Sequence, residues 1–85
     1  MSLKVMLKKI DVLTFFEDGK IDPIKFRMNG RVYPVKRIHK QWIDEDSGTP
    51  LHNFIIQSDN DNNFQIQFDS SQFTWGLRQI TEAIN

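Results

Sequence analysis

The chain has 85 residues, ten aromatic side chains, no cysteine and a formal net charge of zero. At that length one domain is expected, a single small β domain over 1–85 that buries roughly 60–65% of its unfolded surface, too little for a core plus a deep private cavity. Without cysteine, disulfides, thiolate metal sites and a cysteine nucleophile are excluded, and no apolar run approaches the ~20 residues that a membrane-spanning helix needs.

A cytoplasmic location is expected, because Lys4, Lys8 and Lys9 interrupt any signal-peptide apolar segment. Met1-Ser2-Leu3 reads as an added leader without structural weight. The zero net charge conceals an asymmetry: residues 1–43 carry ten Lys/Arg against four acids, and residues 44–85 carry one Arg against seven. Such a division marks a polyanion-binding face, unless acidic strands pair beside basic ones and neutralise it.

From Val5 to Phe16, Ile10, Val12, Thr14 and Phe16 share one parity and Leu7, Leu13 and Phe15 the other. The β-prone composition predicts a strand, bent so as to show two apolar faces. Lys8-Lys9-Ile10-Asp11 also allows one turn of helix. Asp18-Gly19 supplies the first reversal. In the next strand Ile24, Phe26 and Met28 alternate against Lys25 and Arg27, with Pro23 at its entrance. Asn29-Gly30 then sits between two β-prone runs, the strongest short hairpin signal, because both residues accept the positive φ angles of a type I′ turn.

The return strand runs from Arg31 towards Trp42. Tyr33 and Val35 share a parity that Ile38 and Trp42 do not, which predicts a β-bulge near Lys36-Arg37. A polar turn at Asp44–Pro50, a strand at Leu51–Gln57, a second turn at Ser58–Asn63 and an alternating strand at Asn63–Asp69 follow. In the last segment Phe73, Trp75 and Leu77 alternate like a strand, whereas Phe73, Leu77, Ile80 and Ile84 step like a helix. A strand to about Gln79 with a frayed or helical tail is preferred.

The hairpin resembles that of an uncharacterised family of small bacterial β-barrel domains with the pattern Pro-x-x-Phe-x-(aromatic)-x-Gly-Arg-x-Tyr-x-Val, then a tryptophan. Pro23, Phe26, Gly30, Arg31, Tyr33, Val35 and Trp42 carry the match, over about Ile21–Ile80, and Met28 departs from it at the aromatic position. The resemblance implies no activity. Some members are attached to proteins similar to translesion polymerases, a loose association with DNA repair.

Tempting sites give way to plainer readings. Asp59-Asn60-Asp61 begins like a calcium loop, but Phe64 stands where glycine is required and Ser70 where a bidentate glutamate is. A hairpin loop is the simpler reading. His39 and His52 lack metal-ligand spacing. Ser47, Ser58, Ser70 and Ser71 lack a nucleophile-elbow context, and the Asp44/Asp46 pair sits in a hydrophilic loop that raises no pKa. No catalytic residue, metal or cofactor is therefore expected, and the chain is not read as an enzyme.

The expected fold is all-β: a five- or six-stranded antiparallel SH3-like barrel or meander, with a short C-terminal helix as the variant. The expected core is Ile10, Val12, Ile24, Phe26, Tyr33, Val35, Ile38, Trp42, Phe54, Ile56, Phe64, Ile66, Phe68, Trp75 and Leu77. The expected function is a non-catalytic binding or accessory module for a protein partner, with self-association through an open strand edge in view and no membrane partner. The alternative is a nucleic-acid-binding barrel with Lys25, Arg27, Arg31, Lys36, Arg37 and Lys40 on one face and Tyr33 and Trp42 stacking bases.

Overall fold

The structure, a computed structural model, describes residues 7–45 and 48–80. All its regular elements are strands: β1 (Lys8–Glu17), β2 (Lys20–Met28), β3 (Arg31–Asp44), β4 (Leu51–Ser58), β5 (Asn63–Asp69) and β6 (Thr74–Ile80). Each pairs antiparallel with its successor, and β1 returns to β6 to close a six-stranded barrel. The helical turn considered at Lys8–Asp11 is strand. The leader, the start of the first strand at Val5, the tail beyond Ile80, Asp46 and Ser47 lie outside the described residues.

Two of the reversals are built alike. Asp18 and Gly19 have φ of 52° and 75°, and Asn29 and Gly30 have 54° and 77°. Paired positive φ angles match the right-handed twist of the flanking strands, so each dipeptide joins its strands in a two-residue loop.

The core is one cluster: Ile10, Phe26, Phe54, Ile56, Phe64, Ile66, Phe68, Trp75 and Leu77 are buried, with Val12, Ile21, Met28, Tyr33, Val35 and Ile38 packed against it. Towards one end the Phe26 ring stacks on Tyr33 with centroids 5.1 Å apart and meets Phe64 edge-on at 5.3 Å. Towards the other, Trp75 lies against Phe68 at 5.0 Å and Phe54 at 5.9 Å. Offset and edge-on ring pairs of this kind add to the apolar area that holds a small barrel together.

Bulges decide which side chains face inwards. On β3 the register to β4 shifts between Val35 and Arg37 and again between Ile38 and Lys40, which makes Lys36 and His39 the extra residues. The first is the bulge expected near Lys36-Arg37, and it turns Ile38 inwards opposite Ile56. The second reverses the phase once more. Trp42 therefore pairs with Asn53 on the outer face and is not a core residue, a correction to the sequence reading. A further shift opposite Leu13/Thr14 leaves Ile24 as the extra residue of β2. Ile24 is accordingly only half-buried, while Pro23 is buried in its place.

Candidate interaction surfaces

The cations of the hairpin do not share one face. Lys25 and Arg27 point outwards from β2, since their neighbour Phe26 points in. Arg31 stands opposite Met28, on the parity of Tyr33, and is exposed at the rim. The Tyr33 ring is packed between Phe26 and Phe64, so it is not available as a base-stacking surface, which corrects the expectation. Arg27 pairs with Asp11 at 2.7 Å. Lys36 pairs with Asp61 at 2.8 Å, and that hydrogen bond, more than any other influence, holds the Asp61 carboxyl below the ordinary aspartate range. Acids from distant parts of the chain thus sit beside two of the six cations.

On the outer face of β3–β6 three rows hold cations and no carboxylate. Register places Arg37, Gln57, Asn63 and Ile80 in one row across the sheet, and Lys40, Ile55, Gln65 and Arg78 in the next. Trp42, Asn53, Gln67, Gly76 and Lys9 form the third. A polar network ties these rows together. Gln65 Nε2 and Gln67 Nε2 donate to Asn53 Oδ1 at 3.1 and 2.9 Å, Asn53 Nδ2 donates to the Leu51 carbonyl at 3.1 Å, and Arg78 Nε donates to Gln65 Oε1 at 2.9 Å. Asn53 is buried although it faces outwards, and its hydrogen bonds offset that desolvation. Lys40 Nζ lies 5.2 Å from the centre of the Trp42 ring, a cation–π contact. Arg78, Gln65 and Gln67 were missed from the sequence, because only the register brings them beside Lys40 and Trp42.

The second feature is the seam. Three residue pairs join β1 to β6: Lys8 with Leu77, Lys9 with Gly76 and Ile10 with Trp75. The ladder then stops, because at Phe73 the backbone takes a φ of 53° and turns away. A left-handed backbone is strained for a bulky side chain. Among the described residues, β1 from Asp11 to Glu17 has no strand on that side. A cleft of about 580 Å³ opens there, lined by Val12, Thr14, Phe16, Phe68, Phe73 and Trp75 and by the charged Lys9, Asp11 and Arg27. Buried Phe68 forms its floor, flanked by Phe16 at 5.6 Å and Phe73 at 6.0 Å. Leu13, Phe15, Phe16 and Phe73 are exposed by 55%, 62%, 59% and 80%.

The remaining candidates dissolve into structure. The calcium-like segment is the β4–β5 hairpin loop, where Asp61 takes φ 65° and Ser58 N–H donates to the Asn62 carbonyl at 2.9 Å. Ser58 also donates through its hydroxyl to Asn60 Oδ1. His39 is the exposed residue of a bulge, and His52 lies beside the Phe68 ring at 6.1 Å. No cluster of three or more metal-ligating side chains occurs among the described residues, nor is any helix among them long and apolar enough to cross a membrane. Comparison with known proteins leaves the chain without a counterpart: no family model matches it, and no curated protein or solved structure does.

Proposed function

We propose that this chain is a non-catalytic protein-interaction module that accepts an extended segment of a partner protein along the free edge of β1. The observation that carries the reading is the unfinished β1–β6 ladder beside an aromatic-walled cleft. An incoming strand would continue the line of β6, antiparallel to β1, and complete the main-chain hydrogen bonds that stop at Ile10. Its inward side chains would meet Thr14, Phe16 and Phe68. Main-chain bonds supply affinity in such strand addition, and the alternate side chains supply selectivity.

The contrast with the free edge of β2 supports this assignment. Pairing of β2 with β3 covers only Lys25–Met28, so Lys20–Ile24 is also open on its outer side. That stretch carries Lys20, Asp22 and Pro23, the charges and the missing N–H by which native sheets blunt an edge. The β1 edge, between Asp11 and Glu17 at its ends, carries the uncharged run Leu13, Thr14, Phe15 and Phe16. It is left open to pairing.

Selection from a library of displayed extended peptides tests the reading. Selected peptides should alternate apolar side chains, shift the backbone amide resonances of Asp11–Glu17, and lose binding when alternate peptide nitrogens are methylated. Phe16→Asp should abolish the interaction. A library without binders, or binders that leave the β1 amides untouched, refutes it.

A further inference from the structure

The outer face of β3–β6 meets the seam only at Lys9 and points to a different partner. Its three central rows hold Arg37, Lys40, Arg78 and Lys9 with no carboxylate among them. Asp44 and Asp69 begin only in the following row, opposite Leu51. Asp61 lies past the opposite end, bound to Lys36 and near enough to Arg37 to feel its charge. Among the described residues none of the four cations has an ion pair. Trp42 stands at the β3 end of the third row, half-buried, with the Lys40 ammonium over its ring. Gln57, Gln65 and Gln67 add amide groups in the same rows, which in the free protein donate to Asp61 and Asn53.

We propose that this face binds a single-stranded polynucleotide. A strip of cations spaced across a sheet follows a phosphate chain, an outward indole gives a base a stacking surface, and side-chain amides reach base edges. On binding, Lys40 exchanges the Trp42 ring for a phosphate and leaves the indole to a base. A duplex fits less well, since its bases are already stacked and cannot reach Trp42. The chain's zero net charge is no obstacle, because attraction depends on the local field and the acids lie at the margins.

Fluorescence anisotropy with labelled oligo-dT and oligo-U of roughly twelve nucleotides, a length within the range that small barrels cover, tests the proposal on the whole chain. Binding of either oligonucleotide, with affinity falling about 20–50-fold between roughly 50 and 200 mM salt for three to four phosphate contacts, is the expected result. Arg37→Glu with Lys40→Glu should remove it, whereas Lys20→Glu with Lys25→Glu, on β2, should leave it unchanged. Binding should also quench indole emission, and Trp42→Phe should eliminate that quenching, because Trp75 is only 8% exposed. No binding of either strand up to about 100 µM at low salt, the weak end of non-specific affinity, overturns the proposal. Equal affinity for a duplex overturns it too, as does equal loss in the two charge-reversal pairs.

Discussion

Phe73 is where the fold and the proposed edge site meet, so its replacement discriminates most. Its φ of 53° places a bulky aromatic in the left-handed region, and the ring is 80% exposed. The backbone costs about 1–2 kcal/mol in any L-residue other than glycine. One-fifth burial of the ring returns only about 0.3–0.6 kcal/mol, taking full burial of a phenylalanine as about 1.5–3 kcal/mol. Phe73→Ala loses the ring and keeps the strain. Phe73→Gly loses the ring and relieves the strain, against about 0.5–1 kcal/mol for the greater freedom of glycine in the unfolded chain. The glycine variant should therefore be the more stable of the two by about 1 kcal/mol, or about 4–8 °C in thermal midpoint for a domain of this size. In an ordinary strand the order is the reverse. Both variants should bind selected peptides more weakly, since both lose a wall of the cleft. Paired urea and thermal unfolding curves provide the measurement. An alanine variant as stable as the glycine variant refutes the reasoning that Phe73 holds strain to keep the β1 edge open.

Further outcomes follow from particular contacts. A Cβ on Gly76 would sit 2.6 Å from Leu7 Cβ, so Gly76→Val should cost about 1–3 kcal/mol as overpacking and raise amide exchange at Lys8–Ile10, where the barrel closes. Phe64→Ala, which removes a ring touching Phe26 and Tyr33, should cost about 3–5 kcal/mol in urea unfolding. Trp42→Ala should cost about 1 kcal/mol, and an equal loss would return Trp42 to the core. Asp61 and Asp69 have lowered carboxyl pKa values, through hydrogen bonds from Lys36 and Ser71 respectively. Their stabilisation is fully present above the ordinary aspartate value of about 3.9 and is lost as pH falls through the lowered values. Asp61→Asn with Asp69→Asn should accordingly flatten the drop in thermal midpoint as pH falls below about 4, by a small amount because both groups are exposed.

The sequence by itself determined the strands and their turns. Asn29-Gly30 and Asp18-Gly19 are local signals, because positive φ is a property of single residues and needs no distant partner. Alternation gave the inward faces of β5 and β6, and the phase change in β3 located the Lys36 bulge. What only the tertiary structure decided was every consequence of register. The second bulge, at His39, turned Trp42 outwards, and the one opposite Leu13/Thr14 exchanged Ile24 for Pro23, because one extra residue moves all that follow to the other side of a sheet. Whether a cation stands free was likewise beyond the sequence: Asp11 and Asp61 meet Arg27 and Lys36 across 16 and 25 residues of chain. The open β1 edge and the basic rows around Trp42 both arise from how strands meet, and neither is a property of any one segment.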